Sequence, residues 1–145
     1  MSAPLYNAEI LRLAASIADA ERLADADGSA EKRSPVCGSR VTVDLALGRD
    51  GRVAEVGLLV RACALGQASA ALLAAAIVGR TPAELASARD ELSAWLAGGD
   101  ALPGWPGVEV FGPARAYTAR HPSIRLAFEA AAEAAEAAAA RAHAG

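Results

Sequence analysis

The sequence predicts an α+β domain in which a small antiparallel β-sheet, a hairpin plus a short edge piece, packs against about four α-helices. Two observations predict the sheet: Val41, Val43, Leu45 and Leu47 alternate with Thr42, Asp44 and Ala46, and Val56, Leu58 and Val60 repeat that alternation after a turn. A third predicts the helices, because apolar residues on both sides of this pair recur at three- and four-residue spacing. The chain has 145 residues, 54% of them apolar, which suits one core and a single domain over 1–145.

Tyr6, Ile10, Leu13 and Ile17 give an amphipathic first helix over about 4–20. From Glu21 to Ser34 the chain turns polar, with Asp25, Asp27, Gly28 and Ser29, and reads as a loop. The two alternating segments are joined by Gly48-Arg49-Asp50-Gly51, whose glycines and aspartate tolerate turn angles, so they form a β-hairpin. Residues 66–78 are apolar nearly all round, as in a buried helix. Thr81-Pro82-Ala83-Glu84 is a capping box with proline in the first turn, and it opens a helix that ends at Gly98-Gly99. The stretch 100–119 contains Pro103, Pro106 and Pro113 and is expected to be irregular, with a short extended piece at 108–111. A final alanine-rich helix spans about 123–143, with Glu129, Glu133 and Glu136 on its wet face and an Arg125–Glu129 pair four residues apart.

Charge and targeting signals narrow the function. Net charge is −3 with both signs dispersed, so the basic footprint of a nucleic-acid binder is missing. The N-terminal segment lacks the basic and apolar regions of a secretory signal, and the most apolar stretch, 62–78, is short for a membrane span. The expectation is a cytoplasmic protein with no membrane and no nucleic-acid partner. In that compartment its two cysteines are thiols, ligands or redox groups rather than a structural disulfide. Asp44 and Glu55 occupy polar positions of the hairpin and are expected to be solvated.

Cys37 precedes the hairpin and Cys63 follows it. An antiparallel hairpin sets the start of its first strand beside the end of its second, so the two can be neighbours across 25 intervening residues. Cys63 also precedes a helix, where unpaired N–H groups favour a thiolate. Small buried hydrophobes are the plainer role for such cysteines. No serine–histidine–acid set and no phosphate-cradling glycine motif is present, so the residues make no independent case for an enzyme.

The wording around the cysteines is more specific. Leu5-Tyr6 before the first helix, Val36-Cys37-Gly38 before an alternating strand, Cys63-Ala64 followed by Gln67-Ala68-Ser69, and Gly79-Arg80-Thr81-Pro82 run in the order of the NifU/IscU/SufU-like iron–sulfur cluster assembly scaffolds. The chain resembles that family over roughly residues 5 to 130, with the longer spacing of its SufU-type branch. The resemblance implies the SufE/NifU-like fold and a scaffold, not an enzyme. Its cargo would be an Fe–S cluster or iron, or alternatively zinc. A cysteine desulfurase and Fe–S acceptor proteins are the implied partners.

Against the family pattern, Ser39 stands where an aspartate is usual, and Ser123 stands at the third cysteine in the frame Arg120-His121-Pro122-Ser123; a one-residue shift aligns Pro122 there instead, and neither supplies a thiolate. Two thiolates fall short of the four ligands of tetrahedral zinc or a [2Fe–2S] centre. The candidate ligand set is therefore Cys37, Cys63 and His121, completed by a partner or by a second subunit of a homodimer. His121 read blandly is a surface or helix-capping histidine, and Ser123 the N-cap of the last helix. Three functions follow as expectations: a divergent scaffold, an interaction or regulatory module that has lost cluster chemistry, or a sulfur carrier in which Cys63 accepts and Cys37 resolves.

Overall fold

The computed structural model describes residues 7–35 and 38–144. The Leu5-Tyr6 pair, Val36 and Cys37 lie outside the described residues. The elements run α1 (Ala8–Ser16), β1 (Gly28–Arg33), β2 (Arg40–Leu47), β3 (Val53–Arg61), α2 (Ala64–Ala76), α3 (Pro82–Leu96), two 3-10 helices (Val108–Ala116 and Thr118–Arg120) and α4 (His121–Ala144). The three strands form one antiparallel sheet in the order β1-β2-β3. The fold is α+β, as the alternation predicted.

Cross-strand partners point to the same face of a sheet, so the register sorts the side chains. Val41, Val43 and Leu45 of β2 share the inner face with Val60, Leu58 and Val56 of β3. They pack on α4, which lies along β1 and β2 and also meets α2 and α3. Helix α2 is enclosed between α1 and α4, which explains its nearly uniform apolarity. The alanines of α4 let backbones approach closely. A Cβ on Gly28 would collide with the main chain of Ala134 and Ala138, so β1 starts directly against the helix. Ala130, Ala131, Ala134 and Ala135 are fully buried along that seam.

Capping and side-chain bonds fix the remaining joints. At Thr81 the hydroxyl accepts from the Glu84 N–H while the Glu84 carboxylate accepts from the Thr81 N–H, the predicted capping box. Arg115 stacks on the Trp95 ring and donates to the carbonyls of Trp95 and Gly99, satisfying the C-terminal end of α3. Trp105 meets Phe128 edge to face, 5.3 Å between centroids, and donates to the Leu72 carbonyl.

Three expectations are corrected. The polar stretch 21–34 is not wholly a loop, because residues 28–33 form the edge strand β1. The piece at 108–111 is not extended; it opens a 3-10 helix whose buried residues are Val108, Phe111 and Ala114. That spacing of three matches a helix with three residues per turn, in which i and i+3 eclipse. Asp44 is not solvated but fully buried. Arg22 donates two hydrogen bonds to its carboxylate (2.8 and 3.0 Å), Ser29 a third (2.6 Å) and the Leu23 N–H a fourth (3.0 Å). Glu55 is exposed, as expected.

The four donors around Asp44 arrive because residues 21–23 cross the outer face of the sheet. Glu21 accepts from the Leu58 N–H, and Gly57, the β3 partner of Asp44, has no side chain to obstruct the crossing. A Cβ there would collide with the Leu23 N and crowd the Arg22 carbonyl carbon.

Candidate functional site

Register brings the two cysteine-bearing segments to one end of the sheet. Arg33 of β1 pairs with Arg40 of β2, which pairs with Arg61 of β3. The loop 34–39 leaves this end, and Arg61 leads through Ala62 to Cys63. The loop base is closed by a Ser34 N–H to Ser39 carbonyl bond (2.9 Å) and a Gly38 N–H to Ser34 carbonyl bond (3.1 Å). Gly38 sits at φ 73°, a left-handed value that suits glycine. Cys37 itself is outside the described residues.

Cys63 is the N-cap of α2, with extended backbone angles, and it carries a free, half-buried thiol. Its carbonyl accepts the first helical bond, from Gln67, while its side chain makes no capping bond. The sulfur therefore sits at the end of the helix that carries unpaired N–H groups.

The start of α4 lies against the start of α2. An added Cβ on Gly66 would stand 3.3 Å from the Ser123 carbonyl oxygen and 3.9 Å from its Cβ. Deeper in the same contact the Ser69 hydroxyl donates to the Ile124 carbonyl (2.6 Å), with Ser69 fully buried. A side chain at position 123 is thus held beside the first turn of α2, three residues on from Cys63. Ser123 is not the N-cap, because α4 begins two residues earlier at His121.

His121 is buried, 5% exposed, and is not a surface histidine. Its Nε2 lies 3.2 Å from the Ala114 carbonyl oxygen and 3.0 Å from that of Arg115. Carbonyl oxygens only accept, so Nε2 carries the proton and Nδ1 keeps the lone pair in the neutral ring. A backbone carbonyl behind a ring nitrogen is a common way to orient a ligating imidazole, and it serves equally well to anchor a buried one. Among the described residues no three side chains of histidine, cysteine, aspartate or glutamate gather at a spacing that would hold a metal ion. Ser39 and Ser123 are buried as well, 5% and 3% exposed, so both hydroxyls belong to the packed base of this end.

Sequence reasoning missed the arginines. Arg33, Arg40 and Arg61, with Ser34, Pro35 and Gly38, line an open cavity of about 440 Å³ beside the cysteine-bearing loop. Their adjacency depends on β1, which the sequence does not announce. The signal that could have found them is the charged doublet at each strand end, Lys32-Arg33 and Arg61 beside Arg40, once three strands are in register.

No family model and no curated protein sequence matches the chain. Solved structures do. The chain is similar to the N-terminal part of a nitrogen-fixing NifU-like protein from Brucella abortus, at 39% identity and TM-score 0.86, over 94% of this chain and 95% of that one. It is also similar to a protein from Fervidobacterium islandicum AW-1 described as an iron–sulfur cluster assembly scaffold for the SUF system (18% identity, TM-score 0.80, 90% and 96% covered). A third likeness, to a hypothetical protein, is at 17% identity and TM-score 0.69. The second and third speak for the fold alone.

Proposed function

Because the chain belongs to the family of NifU-like N-terminal domains, we propose that it acts as a scaffold in iron–sulfur cluster assembly, with Cys37 and Cys63 as the thiolates that receive iron or the nascent cluster. The observation that carries this reading is the convergence at one end of the sheet. Arg33 and Arg40, which flank the cysteine-bearing loop, pair in line with Arg61 just before the N-cap Cys63, and the first turn of α4 lies against the first turn of α2. The carbonyl-anchored ring of His121 offers Nδ1 as a third donor, and a partner or a second copy of the chain completes the set. Zinc would accept the same donors. A cysteine desulfurase would supply sulfur, and acceptor apoproteins in the cytoplasm would take the product. Sulfur would arrive as a sulfane atom: the Cys63 thiolate attacks the donor persulfide, the donor leaves as its thiolate, and two electrons from an external thiol or redox-protein donor would reduce the sulfane atom to the sulfide of the cluster.

Anaerobic reconstitution with iron and sulfide tests this. The expected result is visible charge-transfer absorption and bound metal, both lost in Cys37→Ala or Cys63→Ala. A colourless, metal-free wild type under these conditions overturns the reading.

Two hydroxyls favour a second reading. Ser39 and Ser123 are buried where the family pattern calls for ligands, and a serine must lose a proton of high pKa to bind metal. An interaction module that keeps the fold without the cargo would hold its partners after both cysteines are replaced. Loss of partner binding in the Cys37→Ala/Cys63→Ala protein counts against it.

A further inference from the structure

Arg33, Arg40 and Arg61 are cross-strand partners, so they form one row across all three strands on the outer face of the sheet. Like charges placed directly opposite each other destabilise a sheet. Here three stand in line, next to the proposed site, in a chain whose net charge is negative. Among the described residues a single carboxylate answers them. Glu31 lies 3.2 Å from Arg33 and 3.6 Å from Arg40, on exposed or half-exposed side chains where such pairs contribute little. Arg61 is exposed and has no ion-pair partner among the described residues. The row therefore keeps about two uncompensated positive charges around a concavity of about 440 Å³. A fold gains nothing from that arrangement, which makes it a feature to be explained by a ligand.

We propose that this arginine row is a docking rim for a carboxylate-rich segment of a partner protein, an inference that rests on the reading of the adjacent end as the site of cluster assembly. Guanidinium groups in a row match successive carboxylates in bidentate geometry, and their open placement suits a protein segment that is later released. Docking there sets the partner's own reactive group beside the loop 34–39 and Cys63. The local positive field also selects for an acidic face that the net negative charge of the chain would otherwise repel.

The test uses the full ¹⁵N-labelled chain and three probes: a capped pentaglutamate peptide, the matching pentaglutamine peptide, and citrate. Pentaglutamate is expected to shift resonances of Arg33, Gly38, Arg40 and Arg61 saturably, at least about tenfold more tightly than pentaglutamine, and to weaken as salt screens the charges. Arg33→Gln/Arg40→Gln/Arg61→Gln should lose at least about tenfold in affinity with an otherwise native spectrum. The control Arg49→Gln/Arg141→Gln, at the other end of the sheet, should stay within about twofold. Unchanged affinity in the triple variant, or shifts spread equally to Arg49 and Arg141, overturns the proposal. Citrate binding as tight as the peptide overturns it too, since the ligand would then be a small polycarboxylate. Reconstitution of the triple variant separates the two readings. Colour without peptide binding ends this inference alone, and peptide binding to a wild type that stays colourless ends the scaffold reading alone.

Discussion

Two rows of side chains cross the outer face of the same sheet, four residues apart along each strand, and handle charge in opposite ways. In the row Ser29–Asp44–Gly57 one buried carboxylate receives four donors and is covered by residues 21–23. In the row Arg33–Arg40–Arg61 three cations face solvent with one shared carboxylate between them. Glycine in the first row lets the chain close over the charge, whereas no glycine or crossing segment does so in the second. The difference teaches where this fold uses charge to stabilise itself and where it leaves charge available to a partner.

The largest expected effect comes from breaking the closed row. Asp44→Asn should cost about 3 kcal/mol in denaturant unfolding, because charge-assisted bonds from Arg22 are lost and one buried oxygen becomes a donor facing donors. The same residue gives the pH dependence its sign. The hydrogen bond from Arg22 is the main cause that holds Asp44 down at about 2, against the opposing effect of burial and with help from Ser29 and Leu23. Its stabilisation is fully present above the ordinary carboxylate value of about 4 and is lost as pH falls through that value toward about 2. Wild type should therefore lose stability across that acid window, and Asp44→Asn should show a flatter profile there.

Next comes Gly57→Ala, whose methyl would meet the main chain of residues 22 and 23. A loss of about 2 kcal/mol is expected, with increased amide exchange confined to residues 20–24. The smallest effect belongs to the open row and has the opposite sign. Arg61→Glu should raise stability by about 0.5 kcal/mol, since it turns a repulsive cross-strand pair with Arg40 into an attractive one. If the arginine row is the docking rim, the same substitution should also weaken pentaglutamate binding. A variant that gains stability while losing a ligand would be the clearest separation of the two rows.

At the site itself the comparison can be sharpened in the other direction. Ser123 is held beside α2 by the Gly66 contact, so Ser123→Cys places a third thiol where a hydroxyl now sits. Iron bound per chain after reconstitution should rise, and the cluster should survive gel filtration longer than in wild type. No gain would mean that position 123 does not face the cargo.

Much of the architecture was legible because its cause is local. The hairpin alternation, the uniform apolarity of α2 and the capping box at Thr81 each sit within a few residues of the structure they specify. Strand β1 was hidden because Gly28, Ala30 and Lys32, its inward residues, are small or charged and carry no β-branched signal; pairing with β2 and contact with α4 make it a strand. Its Lys32 reaches Glu133 of α4 at 3.1 Å, a pairing that only the packed helix supplies. The burial of Asp44 was hidden for a related reason, since Arg22 lies 22 residues upstream. At the site, Cys63 at a helix start and the shared end of the hairpin were readable from spacing. The hydrogen bonds that bury His121 and the arginine row were not, because both depend on elements meeting in three dimensions.

The seam between β1 and α4 has a consequence for how this chain can change over generations. A run such as Ala-Ala-Ala-Glu-Ala-Ala-Glu-Ala looks free to drift, since its letters carry little chemical variety. Yet the missing side chain of Gly28 rests on the backbone at Ala134 and Ala138, so those helix positions sit where strand and helix already touch. What the segment encodes is size, and its plainest stretch is expected to be among its least substitutable.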